Sequence, residues 1–62
     1  MKNTIKILRA KNELTQEDLA IAIGISRPAL SEIETGKVIP GGKTIIKIAN
    51  YFGIPAEQIF FE

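Results

Sequence analysis

The residues best equipped for chemistry in this sequence are cations set apart from acids. Lys2, Lys6, Arg9 and Lys11 lie in a segment without a carboxylate, and Lys37, Lys43 and Lys47 lie in a second, residues 35–50. Between them, Glu13, Glu17, Asp18, Glu32 and Glu34 face Arg27 alone. Two basic blocks of this kind can hold a polyanion if the fold brings them to one surface; otherwise they are ordinary solvated faces. Covalent chemistry has little to work with. The chain has no His and no Cys, which removes zinc centres, thiol redox chemistry and every Ser-His or Cys-His nucleophile. No phosphate loop or metal cluster can be assembled either, so we expect no catalytic residue, no metal, no cofactor and no small-molecule substrate. The net charge of +1 is by itself no argument for a nucleic-acid partner.

The elements that would carry these residues follow from length and periodicity. Sixty-two residues make one small domain, 1–62, with 45% apolar content, and without thiol or metal support it must rely on helix packing, oligomerisation or both. The N-terminal charges precede no apolar run, and the longest apolar stretch, residues 19–25, is interrupted by Gly24. The expectation is a cytoplasmic protein without a membrane segment. Ile5, Leu8 and Ile7 suggest a first helix over residues 4–11. Thr15-Gln16-Glu17-Asp18 has the form of a capping box, so a second helix starts at Gln16, buries Leu19, Ala20 and Ile23, and stops at Gly24. Ser26 caps a third helix that buries Leu30 and Ile33 and ends at Thr35-Gly36. Residues 37–42 read as a loop. Ile45, Ile48, Ala49 and Phe52 define a fourth helix ended by Gly53, and Ile54-Pro55 leads to a short fifth with Ile59 and Phe60 inward. No segment alternates long enough to claim a sheet, although the β-branched ends could pair marginally.

Helices two and three are joined by only Gly24-Ile25-Ser26, and Ala20 is small enough to let them approach. That is helix-turn-helix spacing, at about residues 15–35. Leu14-Thr15-Gln16-Glu17-Asp18-Leu19-Ala20, Gly24-Ile25-Ser26-Arg27, Ile33-Glu34-Thr35-Gly36-Lys37, Pro40 and Thr44-Ile45-Ile46-Lys47-Ile48-Ala49 together resemble the Cro/C1-type (XRE) family of helix-turn-helix DNA-binding domains. The resemblance covers essentially the whole chain and implies an all-α, five-helix, lambda repressor-like fold. It also implies a DNA phosphate contact by Gln16, where a helix N-terminus favours an anion. The alternative is that Gln16 is simply a good first-turn residue.

In such a fold the third helix enters the major groove, with Pro28, Ser31 and Glu32 outward and Arg27 at the edge of that face. Arg27 is the candidate for pairing with guanine, or else for a phosphate. Glu32 could accept from cytosine or remain a solvated acid, and Pro28 offers only apolar contact. Pro28 also limits the Ser26 cap to the Ala29 amide and delays the helix start by one residue. Phosphate contacts are expected from Ser26, Lys37, Gly42 and Lys43; for Gly41-Gly42 the alternative is flexibility without function. In the resembling domains residues placed like Arg9 and Glu34 form a structural salt bridge.

All four aromatic residues lie in the last twelve positions. Phe52 and Phe60 fit the core, whereas Tyr51 falls off the helix-four stripe. The surplus over residues 50–62 suggests a two-fold interface of Tyr51, Ile54, Phe60 and Phe61, or closure of a monomer core. Ile21 and Ile39 are apolar where exposure is expected. The function expected is a homodimeric, sequence-specific regulator, a repressor by preference, on a palindromic duplex operator within the nucleoid. The competing expectation is an antitoxin-like or adaptor module whose apolar end engages another protein.

Overall fold

The computed structural model describes residues 1–62. It contains five helices, α1 (Ile5–Lys11), α2 (Gln16–Ile23), α3 (Arg27–Glu34), α4 (Gly42–Phe52) and α5 (Ala56–Ile59), and two-residue strands β1 (Lys2–Asn3) and β2 (Phe60–Phe61). The architecture is the expected all-α arrangement of five helices, with one addition. The strands pair antiparallel, Lys2 opposite Phe61 and Asn3 opposite Phe60, and so tie the two ends of the chain together. The Thr4 amide extends the ladder by donating to the Ile59 carbonyl at 3.0 Å.

Local signals explain the helix boundaries. Thr15 Oγ1 accepts the Asp18 amide at 3.0 Å while Asp18 Oδ2 accepts the Thr15 amide at 3.0 Å, so two free donors at the start of α2 are satisfied reciprocally. Gly24 follows with φ +77°, a left-handed residue that lets Ile25 N–H return to the Ala20 carbonyl. The end of α3 repeats the device, with Gly36 at φ +79° and Lys37 N–H donating to the Glu32 carbonyl at 3.0 Å. Asn3 sets the entry to α1 by accepting the Ile5 amide at 3.1 Å, and its Nδ2 donates to the Ile33 carbonyl at 2.9 Å. One side chain thereby joins the N-terminus of α1 to the last turn of α3.

The core is a single cluster of Ile5, Leu8, Leu19, Ala20, Ile23, Leu30, Ile33, Ile48, Ile59 and Phe60, with Ile45, Ala49 and Phe52 half-buried against it. Every helix contributes to it. Burial of one such aliphatic side chain is worth ~1.5–3 kcal/mol. Two expectations need correction. Ile7 is exposed, because α1 has room for only one inward stripe and Ile5 and Leu8 occupy it. Phe60, expected also at a dimer interface, is only 7% exposed; its position in β2 turns the ring into the core and leaves little of it for a partner. No helix is long and apolar enough to cross a membrane.

Candidate nucleic-acid interface

The site is built where α2 and α3 begin. Both helices start on a side-chain cap, and both starts present backbone amides, since an α-helix leaves its first-turn N–H groups without internal partners. Ser26 Oγ accepts the Ala29 amide at 3.2 Å. Yet α3 starts at Arg27, not one residue later as Pro28 had suggested. Pro28 occupies the second helical position, where its missing N–H would have had no helical partner and its fixed φ suits the turn. Leu30 and Ile33 face the core, so Arg27, Pro28 and Glu32 are exposed and Ser31 half-buried.

A polar chain runs from the interior to this surface. Arg9 grips Glu34 through two parallel bonds, Nε to Oε2 at 2.7 Å and Nη2 to Oε1 at 2.9 Å, with the two side chains 14% and 6% exposed. The Glu34 carboxylate bonded to it raises the Arg9 pKa further above its ordinary value, so Arg9 stays charged. Arg9 Nη1 also donates to the Leu14 carbonyl at 3.3 Å and braces the turn between α1 and α2. Gln16 Nε2 then donates to Glu34 Oε1 at 3.4 Å, and Gln16 Oε1 accepts from Arg27 Nε at 3.2 Å. The family resemblance implied the pairing of Arg9 with Glu34 and, separately, a role for Gln16, and the helix face pointed to Arg27, but no spacing rule connects them. Their link through Gln16 became visible only in three dimensions.

The remaining candidates are distributed around this centre. Lys37 is exposed just after the last turn of α3. Gly42 requires correction: it is not in the loop but is the first residue of α4, with Gly41 as its N-cap in ordinary extended backbone, a start that no side chain caps and that the residue pattern therefore leaves unmarked. Lys43 is exposed in that first turn, and Pro40, which is buried, anchors the loop. Val38 and Ile39 are exposed between these cations, as expected for Ile39. Lys2 and Asn3 lie against the end of α3 beside Thr35 and Gly36.

At the opposite end of α2, a shallow groove is lined by Ile21, Ala22, Ile23, Gly24, Lys47, Asn50 and Tyr51. Tyr51 stands edge-on to Phe52, ring centroids 5.2 Å apart. Tyr51 and Phe61 are exposed and Ile54 is half-buried.

Comparison with known proteins agrees with this geometry. A family model described as helix-turn-helix matches residues 5–59. An uncharacterized HTH-type transcriptional regulator of Methanocaldococcus jannaschii is 50% identical over 60 residues, 97% of this chain and 91% of the relative. The uncharacterized HTH-type transcriptional regulator YgzD of Bacillus subtilis is 34% identical over 61 residues, covering 98% and 92%. The cryptic phage CTXphi transcriptional repressor RstR of Vibrio cholerae is 31% identical over 55 residues, 89% of this chain but 50% of the relative.

Proposed function

The chain belongs to the Cro/C1-type helix-turn-helix family of DNA-binding transcriptional regulators, and on that premise we propose that it acts as a homodimer that reads a palindromic duplex operator and represses transcription there. The observation that carries this reading is the exposed start of α3, where Arg27 has its Nε engaged by Gln16 while its two terminal nitrogens have no partner in the chain. A guanidinium so presented can meet guanine O6 and N7 in a major groove. Pro28, Ser31 and Glu32 complete the reading face. Gln16, Ser26, Lys37, Gly42 and Lys43 supply phosphate contacts, which set register and affinity without reading sequence. The repressor role is supported by the likeness to the Vibrio cholerae relative, a transcriptional repressor. Members of this family act by binding, and the residues in this interface suit binding rather than catalysis.

The domain is read as 1–62, with the helix-turn-helix at about 15–35 and the contact between copies at about 50–62. Tyr51, Ile54 and Phe61 form that contact. It is supported by the exposed ring of Phe61 and by β2, which pairs with β1 on one edge and has no strand on the other. The test is selection of bound sites from random duplex DNA, followed by affinity measurements across a salt series for the wild type and Arg27→Ala. We expect a two-fold symmetric site with half-sites about 34 Å apart and affinity that falls steeply as salt rises. Arg27→Ala should lose preference at one base pair of each half-site. A flat salt dependence, or unchanged site preference in Arg27→Ala, overturns the reading in favour of a protein-binding module.

A further inference from the structure

Glu34 does more in this structure than neutralise Arg9. Its Oε1 accepts from Arg9 Nη2 at 2.9 Å and also from Gln16 Nε2 at 3.4 Å, and the other end of that same amide accepts from Arg27 Nε at 3.2 Å. Resting on the DNA-binding reading above, we propose that Glu34 is a positioning residue for base recognition, which orients the Gln16 amide and through it aims Arg27.

The chemistry of the neighbours decides the orientation. An ionised carboxylate can only accept and a guanidinium can only donate, so the amide between them has one satisfactory arrangement, with nitrogen toward Glu34 and oxygen toward Arg27. Turned over, it would set oxygen against carboxylate and N–H against N–H and lose both bonds. Glu34 cannot follow such a rotation, because its side chain is 6% exposed and held at both oxygens by Arg9. Two consequences reach the surface. The second Nε2–H of Gln16 is left as a donor for a phosphate oxygen. Arg27, an otherwise exposed and flexible side chain, has its Nε committed, so only its two terminal nitrogens remain to meet guanine O6 and N7 end-on. Holding the fork before DNA arrives lowers the ordering cost of binding.

The test measures preference for guanine over adenine at the base pair whose discrimination depends on Arg27, using duplexes that differ only there. Glu34→Asp keeps the charge opposite Arg9 but withdraws it from Gln16 by one methylene. The pair Arg9→Met with Glu34→Met removes the carboxylate and replaces both charges by apolar side chains of similar volume, a swap that folded domains tolerate. In both variants, confirmed folded by thermal melting, the guanine preference should fall by roughly five-fold or more, and adding Glu34→Asp to Arg27→Ala should change it no further. Retention of the full preference in both variants, with only the melting temperature altered, would reduce Glu34 to a structural ion-pair partner and overturn the proposal. Wild-type preference in Arg27→Ala alone is the distinguishable failure of the DNA reading, which takes the proposal with it.

Discussion

Asp18 and Glu13 sit five residues apart, and each carries a backbone task that its side chain either solves or resists. Asp18 accepts the Thr15 amide, and this bond first, then the interaction with the Thr15 hydroxyl, holds its pKa below the usual carboxylate value. A carboxylate with a depressed folded pKa stabilises the fold above its unfolded value of about 4, and that contribution disappears as pH falls through the folded value. The wild type should therefore melt above Asp18→Asn at neutral pH, and the gap should close as the pH is lowered below about 4; a gap independent of pH would remove the carboxylate from the cap. Glu13 has φ +54° in the turn before α2, without glycine's freedom to adopt it. The left-handed region costs a non-glycine residue ~1–2 kcal/mol, against ~0.5–1 kcal/mol for the greater chain entropy glycine loses on folding. Glu13→Gly should accordingly stabilise the domain by roughly 0.5 kcal/mol and raise the melting temperature by about 2–4 °C. Nothing in the residue pattern marks Glu13 as strained, since the sign of its φ is set by the turn into α2, in which the Leu14 amide returns to the Arg9 carbonyl at 2.9 Å.

At the scale of elements, the two α-helix ends that frame α3 use the same left-handed glycine in different surroundings. A Cβ at Gly24 would meet nothing within 4 Å, so Gly24→Ala should cost only the backbone strain, about 1 kcal/mol. A Cβ at Gly36 would stand 3.2 Å from the Met1 carbonyl oxygen and must displace the N-terminal segment as well. Gly36→Ala is expected to be the more destabilising of the two in chemical denaturation, and equal losses would show that the Met1 contact yields freely. This contrast also explains which elements were legible beforehand. The boundaries of α2 and α3 are written in signals a few residues long, Thr15 with Asp18, Gly24, then Ser26, and the structure places them there. The β1–β2 pair joins opposite ends of the chain and leaves no periodic trace in two residues each. The link from Glu34 through Gln16 to Arg27 was hidden for the same reason: it depends on how closely α2 and the two ends of α3 approach, not on any spacing within them. The start of α3 and the place of Gly42 were each off by one position, because a proline is accommodated anywhere in the first turn and no side-chain cap marks the start of α4.

For the molecule as a whole, the proposed reading of a palindrome sets a geometric requirement that its dimensions define. The domain measures 25 × 22 × 19 Å, whereas equivalent major-groove positions on one face of a duplex are about 34 Å apart. On the proposed function one copy reaches one half-site, and the proposed palindrome calls for a second copy placed by a protein contact. Phe61 is the ring best placed to make it, since its partner in the ladder, Lys2, is also exposed and the far edge of β2 has no strand. Phe61→Asp tests this with little risk to the fold, because the new carboxylate would lie opposite Lys2, a favourable cross-strand pair. The variant should sediment as a monomer. Its affinity for a duplex with two half-sites should drop by roughly 100-fold, toward that for a single half-site, as the second binding event ceases to be intramolecular. Ile21→Asp is the control for the groove at the other end of α2, where Ile21 is 74% exposed. It should leave both sedimentation and the two-site affinity unchanged. The reverse outcome, with Ile21→Asp separating the copies and Phe61→Asp leaving them together, would move the interface from β2 to the α2–α4 groove. Tyr51, which lines that groove and also belongs to the proposed contact, would then remain the aromatic anchor, with Ile21 in place of Phe61 and Lys47 as the charged rim.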